Sequence, residues 1–432
     1  MWRTLNMQVD YLIIGNSVAA VNAIEGVRER DEKGSILVVS EEPYENYSRP
    51  LISYFLGDRI KRQALEYKDA SFYREMKVEV VCARAESLDC IGKKVFLSDR
   101  KHIGYGKLLI AIGGSPVIPG IEGFAKETSG LFTFSGLGDA LALKQYIEEN
   151  AIEHAVVLGA GLIGLKAAEG LLMKGVKVTV IELADRILPN TFDLRGSEIV
   201  ENELIRSGST LIKNDTIVSI QTHQGSIVSV TLKSGRVIET GCLVIAVGVR
   251  PNSAIVQNTT IVTRRGIIVD EHLQTTEPGI FAAGDVAECP DFFDRKPSLI
   301  AIWPVAARTG RIAGFNMAGG NRVYFGLFPM NAVQILGIPS ISFGITEPRG
   351  ADFKVLEHFQ YGVYRKLVLK DNRLVGAILI GNIERAGIYG MLIKERLDVS
   401  SFEKELLSDT FGFLVLPKEF RKHMVTGEGI EV

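Results

Sequence analysis

The sequence predicts an α/β architecture with two Rossmann-like domains and a small α+β C-terminal domain. Three observations predict it. A strand–glycine turn–helix–strand unit occurs at Asp10–Ser40 and again at His154–Ile181. A carboxylate closes each unit, Glu41 in the first and Glu182 in the second. Past about Tyr324 the pattern changes to short alternating strands followed by one helix.

The first unit reads as a buried strand over Asp10–Ile14, a turn over Gly15–Ala20, a helix over Val21–Arg30 and a strand over Ile36–Ser40. Lys77–Leu97 alternates as strands do, and Leu108–Ile112 is a strand that exits sharply at Gly113-Gly114-Ser115-Pro116. The second unit runs His154–Leu158, Gly159–Gly164, Leu165–Lys174 and Val176–Ile181. Gly225–Val237 reads as a hairpin turning at Lys233-Ser234-Gly235. Ile280 opens an apolar run that turns at Gly284-Asp285, and Pro304–Gly319 has helical spacing with proline at the first position, where no N–H is needed. Strands at Val333–Leu336, Ser340–Phe343, Tyr361–Leu369 and Arg373–Ile380 then precede a helix over Glu384–Lys394.

Bulk composition narrows the function classes. The chain has 432 residues, enough for several domains, and 49 basic against 51 acidic side chains leave a net charge of -2. That balance gives no support to nucleic-acid binding or a polybasic membrane anchor. No apolar run approaches the roughly 18 residues that span a bilayer, and Met1–Val9 lacks the pattern of a signal peptide. A cytoplasmic location is expected. Cys82, Cys90, Cys242 and Cys289 have no C-x-x-C spacing and the histidines are scattered, so no metal site or disulfide framework is expected.

The second glycine turn carries the clearest chemistry. Gly159 allows the tight turn, Gly161 lets backbone approach a pyrophosphate, and Gly164 lets helix and strand pack closely. The helix N-terminus offers free N–H groups and partial positive charge to phosphates. Glu182, at the end of the next strand, accepts both ribose hydroxyls and repels a 2′-phosphate, which favours NADH over NADPH. The first turn is degenerate: Ser17 and Ala20 replace the second and third glycines after Gly15. Glu41 is its expected ribose partner, with Glu42 as the alternative.

These turns, Tyr47-Ser48-Arg49-Pro50-Leu51, Leu108–Gly114, Ala246–Asn252 and Thr276–Asp285 stand in the order seen in the pyridine nucleotide–disulfide oxidoreductases. The chain resembles that superfamily over residues 8 to 320, and within it the branch of rubredoxin reductases, ferredoxin reductases and the NADH-oxidising part of nitrite reductase. The resemblance implies an FAD domain (1–125 with 250–323), an NAD domain (126–249) and a C-terminal interface domain (324–432). It implies that Gly15, Ser17, Ala20, Glu41, Arg49, Pro50, Gly113, Asp285 and Trp303 meet FAD, and that Gly159, Gly161, Gly164, Glu182 and Gly248 meet NAD. Asp285 is carried over to the ribityl or pyrophosphate region, and Trp303-Pro304 to the flavin ring. Ile112 departs from the family's usual threonine.

A second departure is chemical. Disulfide reductases, peroxidases and water-forming oxidases of the superfamily carry one or two redox cysteines in the stretch matching Arg49–Leu56, and none stands here. With no thiolate to receive them, electrons leave by the flavin edge. Many relatives also place a lysine near flavin N5 and pair it with a glutamate on the NAD helix. Here Ser53 and Tyr54 occupy the first region and Lys166 stands at the glutamate's position. Lys166 is therefore the expected cation near N5.

The resemblance implies hydride transfer from NADH to FAD and single-electron delivery to an iron–sulfur protein, ferredoxin or rubredoxin, in either direction. Two alternatives remain open: an NADH oxidase or quinone reductase, and an NADH-responsive flavin-bearing binding protein. The C-terminal domain is expected to support a homodimer or partner docking. Lys418, Arg421 and Lys422 are its candidate contacts with an acidic ferredoxin, and Phe411–Leu416 is a candidate interface stretch.

Overall fold

The computed structural model describes residues 6–417, so Lys418, Arg421 and Lys422 lie outside the described residues. The chain divides into two compact units. One comprises the described residues of Met1–Ile181 with Asp215–Phe328, and the other those of Glu182–Asn214 with Pro329–Val432.

The first unit is built around two runs of parallel strands, the first of them continued by an antiparallel pair, Ala85–Asp89 and Lys94–Leu97, beside His102–Ile110. Its leading elements are β1 (Asn6–Ile14), α1 (Val18–Arg28), β2 (Ile36–Ser40), α2 (Ile52–Leu56), β3 (Val78–Cys82) and β4 (His102–Ile110). β3, β2, β1 and β4 pair in that order, all parallel, with Ile14 level with Val39 and Ile110. Residues Tyr11–Ile14 and Ile36–Val39 are all buried, as expected of strands covered on both faces. Next come α3 (Leu137–Glu149), β5 (His154–Leu158), α4 (Leu162–Met173), β6 (Lys177–Ile181) and β7 (Cys242–Ile245). β6, β5 and β7 are neighbouring parallel strands of the second sheet, and Leu131–Thr133 pairs parallel with β7. The chain then returns: β8 (Ile280–Ala282) adds to β4, and α5 (Trp303–Met317) packs on α1.

Both glycine-turn helices begin three residues earlier than their apolar spacing suggests. Ser17 and Gly161 hold extended φ/ψ and serve as N-caps, so Val18 and Leu162 open the helices and the third motif residue falls in the first turn. α3, which the apolar spacing does not reveal, is set by Asp139, whose carboxylate accepts from the Ser135 and Gly136 N–H groups at 2.6 and 3.3 Å. The expected hairpin near Gly225–Val237 is part of a three-stranded meander, Ile217–His223, Ser226–Leu232 and Val237–Glu239.

α1 and α5 approach with backbone almost in contact. A Cβ on Gly310 would lie 2.1 Å from the Ala19 carbonyl oxygen, and one on Gly314 would lie 2.0 Å from that of Ala23. Beyond this crossing the helices are laced by Arg311, which pairs with Glu25 at 2.5 Å and with Glu29. A ribbon of Gly114–Pro116 against Val249–Pro251 joins the two sheet regions. Asn252 fastens it, donating from Nδ2 to the Ile112 carbonyl at 3.0 Å and accepting from the Ser115 hydroxyl at 2.8 Å.

The second unit contains a five-stranded antiparallel sheet in the order Met330–Ile335, Ile338–Gly344, Arg373–Ile380, Val363–Lys370 and Phe353–Gln360. Phe353–Gln360 is its one strand missing from the sequence reading; only Phe353, Leu356 and His358 of its residues are even half-buried, so an edge strand leaves little apolar alternation. The helix over Ala386–Lys394 covers part of the sheet. Glu182–Asn214 joins this unit through buried charge. Asp193 caps the helix Leu194–Arg206 at Gly196 N–H and accepts from Lys366 Nζ at 2.8 Å and Tyr364 OH at 2.6 Å. Arg186 donates from Nη2 to both carboxylate oxygens of Glu347, each at 2.8 Å. Within Phe411–Leu416, Phe411 is buried against Tyr389 and Phe402, while Phe413 and Leu414 are exposed.

Candidate functional site

The two glycine turns are built alike. Gly15 and Gly159 have φ of 105° and 104°, and a Cβ on either would lie within 2.4 Å of a carbonyl oxygen, Ala111 for Gly15 and Ala246 for Gly159. Each opposing strand therefore exits through the same three-residue pattern, Ala111-Ile112-Gly113 and Ala246-Val247-Gly248. A Cβ placed on Gly113, Gly161 or Gly248 would meet nothing within 4 Å, so open space lies before both turns. Gly164, by contrast, would bring a Cβ to 1.9 Å from the Gly159 carbonyl, and Ala20 is fully buried at the equivalent position. Neither Ser17 nor Gly161 supplies a side-chain cap, which leaves the first N–H groups of α1 and α4 to an anion.

Around the first turn the structure gathers Arg49, Glu42, Tyr47 and Asp285. Arg49 donates from Nε to the Ser17 hydroxyl at 3.4 Å, from Nη1 to the Ser135 carbonyl at 2.8 Å and from Nη2 to Glu42 at 2.6 Å. Tyr47 donates its hydroxyl to Glu42 at 2.9 Å and accepts from the Leu137 N–H at the start of α3 at 2.9 Å. Glu42 is thus committed to Arg49 and Tyr47, whereas Glu41 is exposed at the end of β2 with one 3.3 Å contact to Arg84. That leaves Glu41 as the more available ribose acceptor. Pro50 sits exposed in the short turn Arg49–Leu51 that leads into α2.

Asp285 lies in the turn Gly284–Val286, where the Gly284 N–H is held by Thr309 of α5 at 3.1 Å. Its half-buried carboxylate has no protein hydrogen-bond partner among the described residues, a condition that a ribityl hydroxyl would relieve. Burial pushes its pKa up, and the Arg49 guanidinium opposes that rise. A folded-state value above the unfolded one means that this group's contribution to the stability of the FAD-free chain is fully present below the ordinary carboxylate range and is lost as pH rises through the raised value. Asp285→Asn is expected to remove that slope, so the FAD-free variant melts above the parent at neutral pH. FAD retention should nevertheless weaken about tenfold, since a charge-assisted acceptor is lost. Melting curves of FAD-free protein against pH, with FAD titrations, check both.

Trp303 opens α5 half-buried, its ring edge-on to Tyr67 at 5.3 Å and 88°. The Tyr67 hydroxyl accepts from Asn22 Nδ2 of α1 at 3.1 Å, so the indole is positioned from the helix of the first turn. Lys166 stands where α4 packs on α2. A Cβ on Gly170 would lie 2.9 Å from Leu56 and 3.0 Å from the Ser53 carbonyl, which shows how close the two helices run. Lys166 pairs with Glu169, which is 3% exposed, and its Nζ lies 4.2 Å from the Tyr54 ring centroid. The Ser53 hydroxyl beside this junction is buried without a partner. Glu182 follows β6 directly, and its Oε1 accepts from the Ala184 N–H at 2.8 Å.

Sequence reading misses the Arg49–Glu42–Tyr47–Ser135 network and the support that Thr309 gives the Gly284 turn. The partners are far apart in sequence and carry no periodic signal. Asn252 stands inside the Ala246–Asn252 motif, but its fastening role needs the ribbon geometry. Burial lifts the Cys242 and Cys289 thiols to about 12, which keeps them from acting as thiolates. Among the described residues no cluster of three metal-ligating side chains occurs, and no helix is long and apolar enough to cross a membrane.

Residues 9–310 match the pyridine nucleotide-disulphide oxidoreductase family, and residues 329–397 match the rubredoxin NAD+ reductase C-terminal domain. The chain is 31% identical to the NADH-dependent phenylglyoxylate dehydrogenase subunit epsilon of Aromatoleum evansii, covering 92% of this chain and 94% of that protein. It is 26% identical to the NADH-rubredoxin oxidoreductase of Clostridium acetobutylicum, covering 90% and 94%. Among solved structures, a NAD-dependent persulfide reductase from A. fulgidus superposes with a TM-score of 0.83 at 26% identity, covering 91% of this chain and 78% of that one.

Proposed function

The chain belongs to the pyridine nucleotide-disulphide oxidoreductase family, and from that membership we propose an NADH:acceptor oxidoreductase that passes electrons to an iron–sulfur protein of the ferredoxin or rubredoxin kind. It is an FAD-dependent NAD(H) oxidoreductase of the rubredoxin and ferredoxin reductase branch. The acceptor is the proposed part. The observation that carries it is the run Arg49–Leu56, where Ser53 and Tyr54 stand and no sulfur is present. Bound FAD supplies the two-electron acceptor and one-electron donor that the side chains lack.

The chain's own residues do the positioning. The Gly15–Ala20 turn and the N-terminus of α1 receive one pyrophosphate, with Arg49 as counter-charge and Asp285 as acceptor for a ribityl hydroxyl. Trp303 bounds the ring region. The Gly159–Gly164 turn, with Gly248 opposite, receives the second pyrophosphate, and Glu182 reads the ribose. Alignment and exclusion of water are then the protein's contribution, and no side-chain acid or base is required. The division into FAD (1–125, 250–323), NAD (126–249) and C-terminal (324–432) domains, a homodimer through the last of these and a cytoplasmic location belong to the same proposal.

Anaerobic mixing with NADH is expected to bleach the flavin at about 10 s⁻¹ or faster, and subsequent mixing with oxidised ferredoxin or rubredoxin should reduce the carrier. Rapid peroxide formation in air without any carrier would replace the proposal with an oxidase. Bleaching over minutes would replace it with an NADH-responsive binding protein. Lys166 is proposed as the cation that favours the reduced cofactor, its charge moderated by Glu169. Lys166→Met is expected to slow NADH bleaching about tenfold at unchanged FAD content; an unchanged rate sinks that role.

A further inference from the structure

The segment Asp58-Arg59-Ile60-Lys61-Arg62 leaves α2 with three cations and one acid. Asp58 is already committed, pairing with Lys144 and, at 2.6 Å, with Lys174. Arg59, Lys61 and Arg62 are exposed, and none makes an ion pair or side-chain hydrogen bond among the described residues. They are not loosely hung. Leu56 and Leu65 are buried on either side, and Arg59 N–H closes onto the Tyr54 carbonyl at 2.8 Å. Aromatic rings lie beneath the guanidinium groups: Arg59 stands 5.9 Å from the Tyr54 centroid and Arg62 stands 5.7 Å from that of Tyr44.

Tyr54 is the ring that also meets Lys166 at 4.2 Å. One aromatic side chain therefore has a surface cation and a cation of the second glycine-turn helix as neighbours. α2 itself starts beside Arg49 and packs on α4, so the patch extends from the element lying between the two turns.

We propose that Arg59 and Arg62, steadied by Tyr54 and Tyr44, form together with Lys61 the docking surface for an acidic electron-carrier protein. The inference rests on the acceptor class given under Proposed function and names the surface that meets it. Three exposed cations whose neighbouring acid, Asp58, is already taken up by Lys144 and Lys174 raise the encounter rate of a negatively charged partner and select against a basic one. A nucleic acid is the poorer fit, because the net charge of -2 provides no continuous basic track.

The test is the FAD-loaded triple variant Arg59→Glu, Lys61→Glu, Arg62→Glu, assayed with NADH and either an acidic [2Fe–2S] ferredoxin or menadione, a small neutral quinone. At low ionic strength kcat/KM for the ferredoxin should fall at least about tenfold, the gap should narrow with added salt, and menadione reduction should hold. The variant Arg59→Lys, Arg62→Lys should keep most of the ferredoxin rate. Equal ferredoxin rates for parent and triple variant at low salt, or an equal loss toward both acceptors, overturns the docking surface while leaving the acceptor class standing. A parent enzyme that reduces menadione but neither ferredoxin nor rubredoxin overturns the acceptor class, and the docking surface falls with it.

Discussion

Gly314→Leu is expected to yield a chain that melts several degrees lower and purifies without its flavin. The reason is the backbone-to-backbone crossing of α1 and α5. A Cβ at residue 314 would stand 2.0 Å from the Ala23 carbonyl oxygen, and the equivalent distances at Gly310 and Gly26 are 2.1 and 2.3 Å. These obstacles are main-chain atoms of packed helices, so no rotamer change relieves them. Overpacking of a core costs about 1–3 kcal/mol where neighbours can shift, and this site belongs at the top of that range. The N-terminus of α1 is also the proposed seat of the first pyrophosphate, so displacing it should spoil the cradle and the fold together. The ratio of flavin to protein absorbance and a melting curve would show it. A fully yellow variant with the parent's melting temperature would contradict the crossing.

Gly159→Val is expected to separate the two nucleotides. At φ 104° an L side chain is strained, and its Cβ would meet the Ala246 carbonyl oxygen at 2.4 Å. The disturbance is confined to the second turn, so FAD should stay bound while the affinity for NADH falls at least about 100-fold, or about 2.7 kcal/mol. Flavin content should match the parent, and the NADH concentration that half-saturates bleaching should rise accordingly. Gly15→Val is the mirror experiment, because Gly15 has the same conformation and the same kind of obstacle at Ala111. It should cost FAD first. Loss of flavin from the Gly159 variant would show that the two turns are not independent.

The duplicated turns are legible in the sequence because glycine spacing, flanking strands and a terminal acid are all local signals. Apolar rhythm places their helices three residues late because it starts with the buried face, whereas the helix starts at the cap. Ser17 and Gly161 are small, extended and without periodicity. α3 escapes for a related reason. Its Gly136 cap and Asp139 look like a loop until the Ser135 N–H is seen to bond that carboxylate. The C-terminal sheet reads almost complete; Phe353–Gln360 is lost because an edge strand with mostly solvated side chains lacks alternation. Asp285 and Arg49 can be named from motifs, but their mutual electrostatic influence joins residues more than two hundred positions apart. The docking cations are visible as letters. Only the structure shows that Asp58 is taken up by Lys144 and Lys174 and leaves them uncompensated.

Glu182, the residue expected to discriminate between the two pyridine nucleotides, is contiguous with β6 yet belongs to the unit whose sheet is formed by residues beyond 329. Asp193 and Arg186, tied to Lys366 and Glu347, anchor that stretch. A chimera that exchanges only the tail after Phe328 for a relative's would therefore remove the partners of Asp193 and Arg186, Lys366 and Glu347, from the stretch that follows Glu182. Recombination breakpoints that preserve coenzyme preference must carry Glu182–Asn214 and the tail as a single inherited block, although more than a hundred residues of another unit intervene between them.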